Sequence, residues 1–302
     1  MIKSSSFAIQ FAVPLLLAIA FGTKSAAQAR PVPTINQQKK HEIKSKINGH
    51  VYPVFVSLPK NYSKTDTVHY PVFYILDGNS GFPVAHAARQ MLDLVGAIED
   101  IIIVGIGYEW DKSYQPWFTT RWNDLTPTAD TKADTSQQYL GALSLPKGSL
   151  NSGGTERFIT ILKTEIISFV QKEYKANEDR GLYGHSLGGL FAAYCLLKEP
   201  GLFRRYAISS PSVWWDNRKI LDIEKSFSAN NQALNAQVFL SVGSLEGDMM
   251  VSGMNALSDA LKVHNYNGLS LTTAVFDGET HFSVFASSVT RAIRVLYPIK
   301  RK

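Results

Sequence analysis

From residue 70 to residue 276 the chain repeats one pattern. A short run of apolar, often β-branched residues is followed by a longer stretch with apolar positions every three or four residues. The runs are YPVFYILD (70–77), IIIVGIG (101–107), AQVFLSVG (236–243) and LTTAVF (271–276), as expected of parallel strands buried on both faces. TERFITILKTEIISFVQKEY (155–174) puts Phe158, Leu162, Ile166 and Phe169 on one helical stripe, and MNALSDALKVH (254–264) has the same period. Strands alternating with helices call for an α/β fold: a mainly parallel central sheet with helices on both faces. Ahead of it, HEIKSKINGHVYPVFVSLP reads as an antiparallel hairpin joined at Asn48-Gly49, because a two-residue turn needs positive φ at both positions. No internal repeat interrupts this order, so one domain suffices.

Residues 108–153 break the rhythm. A connection this long is uncommon in a compact domain. It carries Tyr108, Trp110, Tyr114, Trp117, Phe118, Trp122 and Tyr139, a content that disordered linkers lack. The expectation is an ordered lid over a pocket; the alternative is that these rings pack on the domain's own flank.

The amino terminus is a separate matter. Lys3 precedes a mostly apolar run from Phe7 to Gly22, and Ala27-Gln28-Ala29 follows as a small-x-small site. Residues 1–29 read as a secretory signal peptide, the apolar run being shorter than the roughly 20 residues a bilayer span needs. The mature chain from Arg30 is then periplasmic or secreted, without a stable membrane anchor. Removing Lys3 and Lys24 lowers the net charge from +6 to +4. No interleaving of basic and aromatic residues suggests a nucleic-acid groove, so nucleic acid is not expected as a partner. Cys195, the single cysteine, has no intramolecular partner and sits in the apolar run LFAAYCLL as a small hydrophobe.

The chemistry is concentrated at the carboxyl ends of the strands, where open parallel sheets bind ligands. In YGHSLGG (183–189), the spacing Gly184-x-Ser186-x-Gly188 fits a nucleophile elbow, a tight strand-to-helix turn that projects a serine hydroxyl. Gly184 and Gly188 make steric sense where strand and helix cross closely. A serine hydroxyl needs a base, and His281, after AVFDGET, is the histidine that combines a late strand end with a turn. His185 occupies the variable elbow position, its ring expected to point away from the serine. A carboxylate must fix the base's tautomer. Glu246, three residues beyond Gly243, is the leading candidate, with Asp248, Asp277 and Glu279 as competitors. The backbone N–H of Leu187, with one from Gly78 or Asn79 in the loop DGNSGF (77–82), would form the oxyanion hole. No His, Cys or carboxylate spacing suits zinc, and the chemistry requires neither metal nor cofactor.

The segments YPVFYILDGNSGF, GHSLGGLFAAY, YAISSPSVWWDN, SVGSLEGD and GETHFS resemble the esterase branch of the α/β-hydrolases that includes enterobactin-type siderophore esterases. The likeness runs from about Gly49 to the carboxyl terminus. It implies an α/β-hydrolase fold and a secreted serine ester hydrolase, with Ser186 as nucleophile, Glu246 as acid and His281 as base. The substrate it suggests is a small-molecule ester, such as the tri-lactone of a catecholate siderophore. Feruloyl and acetylxylan esterases belong to the same branch, and a non-catalytic ligand-binding homologue is the reading from another class. Arg121 in the insertion and Trp214 and Trp215 in SPSVWW are the candidate substrate-binding residues. The insertion itself has no residue-by-residue match to the family.

Overall fold

The computed structural model describes residues 38–63, 65, 67–110 and 114–299. The signal-peptide reading of residues 1–29 lies outside these residues. The elements run β1 (Gln38–Lys44), β2 (Val51–Ser57), β3 (Tyr70–Ile75), α1 (Gly78–Leu94), β4 (Ile102–Ile106), α2 (Gln115–Leu125), α3 (Thr131–Asp134), α4 (Gln137–Ala142) and α5 (Thr155–Ile161). After α5 a π-helical turn (Leu162–Ile167) leads into α6 (Ser168–Glu173). Then come β5 (Ala176–His185), α7 (Leu187–Lys198), β6 (Arg205–Ser209), α8 (Trp215–Ser228), β7 (Ala233–Gly243), α9 (Asp248–Val263), β8 (Asn267–Phe276) and α10 (Val284–Leu296).

Among the described residues, eight strands form one sheet in the order β1-β2-β4-β3-β5-β6-β7-β8. β2 pairs antiparallel with both β1 and β4, and every other pairing is parallel. Period-two alternation sorts each strand between two cores. Val72 and Tyr74 of β3 join the larger one, with residues of α2, α5, α7, α8 and α9. Phe73 and Ile75 join the smaller, against Phe82 and Ala85 of α1 and Val289, Ala292 and Ile293 of α10. Helices thus cover both faces, and the parallel connections leave the carboxyl ends of β3, β5, β6 and β7 at one edge.

Three details differ from the pattern reading. The β1–β2 link is a six-residue loop, Lys44 pairing with Val51, rather than a two-residue turn at Asn48-Gly49. Ser45 organises it: its hydroxyl accepts the N–H of Ile47 (3.1 Å), and its carbonyl accepts the N–H of Gly49 (3.0 Å), which alone of the pair has positive φ (78°). β8, expected to be buried, is an edge strand paired only with β7, and Val275 is 53% exposed. Residues 77–82, expected as a loop, are the start of α1, entered through Asp77 in the left-handed region (φ 54°).

The described residues between Tyr108 and Gly153 include three short helices, α2 to α4, and their rings have divided roles. Tyr108, Trp117 and Trp122 are buried in the larger core, while Trp110 and Tyr114 are exposed. The segment therefore packs on the flank and at the same time forms one side of a cleft.

Candidate active site

β5 ends at His185, α7 begins at Leu187, and Ser186 turns the chain between them at φ 60°, ψ −119°. Few non-glycine residues adopt that conformation, so neighbouring bonds must hold it. The Ser186 N–H donates to the carbonyl of Ser209 (3.1 Å), and its carbonyl accepts from the N–H groups of Leu190 (3.0 Å) and Ser212 (3.1 Å). Glycine is demanded at two places around it. A Cβ on Gly184 would stand 1.9 Å from the Gly188 carbonyl oxygen, and one on Gly189 would stand 2.7 Å from that of Ser209. Gly188 itself corrects the sequence reading, since a Cβ there meets nothing nearer than 3.6 Å. The close crossing of α7 over β6 rests on Gly189.

Ser186 Oγ lies 3.0 Å from His281 Nε2, and His281 Nδ1 lies 2.6 Å from Glu246 Oε2. Ser210 Oγ and the Gly243 N–H each donate to the other carboxyl oxygen, Oε1, at 2.6 Å. The Glu246 side chain is fully buried, which would raise its pKa, yet the hydrogen bonds from His281, Ser210 and Gly243 hold it below the ordinary value. It is a carboxylate whose three donors fix its plane. Asp248 is exposed at the start of α9, Asp277 accepts a bond from Ser244, and Glu279 accepts one from Ser287.

His185 is not turned out of the site. Its ring centroid is 4.6 Å from that of His281 and its Nδ1 is 3.3 Å from Ser209 Oγ, while the buried Nε2 has no hydrogen-bond partner among the described residues. Burial, with the nearby His281 ring adding to it, pushes its pKa down to about 3, so a neutral imidazole lies beside His281. Leu187 opens α7, and Gly78 and Asn79 open α1, positions whose N–H groups have no partner within the helix. The Asn79 side chain is committed elsewhere: it accepts the Tyr108 N–H (2.8 Å) and donates to the Tyr108 carbonyl (3.0 Å).

Around Ser186 the cleft has two lobes. The larger, about 590 Å³, is lined by His185 and His281 together with Val84, Trp117, Phe282 and Phe285. The smaller, about 250 Å³, is lined by Leu187, Ser212 and Trp214 with Trp122, Tyr139 and Ala142. Phe118, Arg121, Leu143 and Ser186 border both. Arg121 does line the cleft, but its guanidinium is bound to Asp77 through Nε–Oδ1 (2.6 Å) and Nη2–Oδ2 (2.9 Å), so it is not a free cation awaiting an anion. Of the two tryptophans, Trp214 faces the small lobe. Trp215 does not: it has no exposed surface, packs edge-on against Trp122, and donates Nε1–H to Thr128.

The family described as "Putative esterase" matches residues 45–296, most of the chain and all of this site. The chain belongs to that esterase family. BesA of Bacillus subtilis, a ferri-bacillibactin esterase, is 32% identical to the esterase over 270 residues, 84% of this chain and 88% of BesA. A siderophore triacetylfusarinine C esterase of Aspergillus fumigatus is 28% identical over 88% of this chain and 95% of its own. The crystal structure of the BES protein from Bacillus cereus superimposes on the esterase with a TM-score of 0.74 at 30% identity, covering 89% and 98% of the two chains.

Sequence reasoning missed three parts of the esterase's site: Ser210 and the Gly243 N–H on Glu246, the Asp77–Arg121 pair, and the neutral His185. Only Ser210 left a signal. Ser209 ends the buried strand β6, and Ser210 directly after it places a hydroxyl at the sheet edge, where it is held at φ 44°. No helix among the described residues is long and apolar enough to cross a membrane.

Proposed function

We propose that this esterase works through an acyl-enzyme on Ser186 and acts outside the cytoplasm on siderophore esters. The observation that carries the mechanism is the unbroken hydrogen-bond chain from Ser186 through His281 to the buried carboxylate of Glu246. As Ser186 Oγ attacks the ester carbonyl carbon, His281 Nε2 takes its proton, and Glu246 stabilises the imidazolium. The negative oxygen of the tetrahedral intermediate rests on the N–H groups of Leu187 and of Gly78 or Asn79, each contributing about 3 kcal/mol. His281 then passes the proton to the departing alkoxide as the C–O bond breaks. Water, deprotonated by the same ring, attacks the acyl-serine; the C–Oγ bond breaks, His281 returns the proton to Ser186 Oγ, and the acid is released.

Replacing Ser186 by Ala is expected to lower kcat on p-nitrophenyl butyrate by as much as about a million-fold. Turnover retained in the purified variant would overturn the mechanism. For the substrate, support comes from the named activities of BesA and the Aspergillus relative and from an apolar, aromatic cleft suited to catechol rings. A higher kcat/KM on a catecholate tri-lactone than on methyl ferulate is expected, and a clear preference for ferulate would move the assignment to carbohydrate-linked esters. Export rests on residues 1–29. The intact mass of the exported protein is expected to correspond to a chain beginning at Arg30.

A further inference from the structure

The two lobes differ in more than size, and the difference bears on which half of an ester each one holds. A departing alkoxide must receive its proton from His281 Nε2, which requires the leaving oxygen to come within about 2.6–3.2 Å of that atom. His281 borders the large lobe and not the small one. The substituent on the leaving oxygen must therefore run out through the large lobe. The carbon chain of the carbonyl, on the other side of the scissile bond, then has the small lobe beyond Ser186.

We infer that the small lobe between α4, α7 and Trp214 is the acyl subsite, that the large lobe is the alcohol subsite, and that Phe118 and Leu143 form the partition. The assignment rests on the acyl-enzyme reading above. It also defines the class of substrate. At about 250 Å³ the small lobe falls below the roughly 300 Å³ at which pockets begin to hold drug-sized ligands, whereas 590 Å³ lies well within that range. The walls of the small lobe include Tyr139 and Trp214, whose rings lie within 15° of parallel at 6.3 Å, with the Ser212 hydroxyl among the few polar groups. That spacing leaves no room for a ring between them. The lobe suits a short or single-ring acid. Phe282, on the wall of the large lobe, is 87% exposed, so a bulky alcohol can extend past it into solvent.

The test crosses two substrate series with variants of the full chain. One series varies the acid on p-nitrophenol (acetyl, benzoyl, 2-naphthoyl), and the other varies the alcohol on benzoate (methyl, benzyl, 2-naphthyl). Tyr139→Ala, which enlarges the small lobe, is expected to raise kcat/KM for 2-naphthoyl relative to acetyl by at least about tenfold, the scale on which pocket size discriminates substrates. Ala142→Phe, at an exposed position on the small lobe's wall, is expected to shift the same ratio the opposite way. Both should leave the order of the benzoate esters as it was. Phe282→Ala is expected to reorder the alcohol series and not the acyl series. If the small-lobe variants reorder the alcohols while Phe282→Ala reorders the acids, or if none of them moves either series, the assignment is overturned. Covalent labelling of Ser186 by a fluorophosphonate, located by mass spectrometry, separates this from failure of the mechanism. A labelled Ser186 with the wrong substrate pattern rejects only the lobe assignment, and an active protein whose Ser186 stays unlabelled rejects the acyl-enzyme together with it.

Discussion

Replacing Glu246 by Gln is a small change in shape with a large expected consequence, because its neighbours dictate which way the amide must face. Oε1 accepts the Gly243 N–H at 2.6 Å, and that backbone group can only donate. In the variant the carbonyl oxygen must occupy this place, which leaves the NH₂ where Oε2 now meets His281 Nδ1 at 2.6 Å. An amide NH₂ can only donate there, so Nδ1 must become the bare nitrogen and the ring proton moves to Nε2. Nε2 then presents N–H to Ser186 across 3.0 Å and can no longer take the serine's proton. The expected loss in kcat is about 10⁴-fold, the scale seen when a triad carboxylate becomes an amide in serine proteases, or about 5.5 kcal/mol in the barrier. Glu246→Ala is the control. It removes the acceptor but imposes no tautomer, so Gln should be no more active than Ala despite fitting the space better. Steady-state hydrolysis of p-nitrophenyl butyrate from pH 6 to 9, with thermal unfolding to show that the fold is kept, decides the matter. Gln activity within tenfold of wild type would refute the argument that Glu246 sets the tautomer.

The glycines of the elbow should behave unequally. Gly184→Ala is expected to destabilise by on the order of 3 kcal/mol or to prevent folding, because its Cβ would collide with backbone, and Gly189→Ala should follow it. Gly188→Ala, inside α7 with ordinary contacts, should be neutral or stabilising by up to about 1 kcal/mol in urea unfolding, and a collapse comparable to that of Gly184→Ala would contradict the packing described. Asp124 supplies a pH test. Burial raises its carboxyl to about 7; Tyr52 donates to Oδ2 at 2.8 Å, and Oδ1 has no partner among the described residues. Against an unfolded value near 3.9 the native state holds the extra proton, so stability should fall as the pH rises from about 4 to 7 and level off above that. Between pH 5 and 8 this amounts to about 3 kcal/mol, which Asp124→Asn should abolish; parallel stability curves for the two proteins would contradict it.

How much of this was legible in the sequence varied with the range of the interaction responsible. Runs such as IIIVGIG announce buried strands because burial on both faces leaves no polar position, and β4 lies where the run does. LTTAVF looks the same, yet β8 is exposed at the sheet's rim, since composition does not reveal whether a strand gains a second neighbour. The Asn48-Gly49 dipeptide pointed to a tight turn, and a local competitor, Ser45, drew the chain into a longer loop. Adjacent tryptophans shared one expectation and received opposite environments, because consecutive residues at a helix start point in different directions. Ser186, Glu246 and His281 could be singled out because strand ends and turns mark them. The Asp77–Arg121 pair spans 44 positions and could not, as nothing local tells an arginine which carboxylate it will meet.

The backbone at Ser186 has a consequence for anyone seeking a hardier version of this protein. Side chains resist the twist it adopts, at a cost of about 1–3 kcal/mol that glycine would largely escape. A screen for heat tolerance alone would therefore reward chains that have lost the hydroxyl. Selection for robustness and selection for turnover pull this one position in opposite directions, and only a screen that demands both at once will keep it serine.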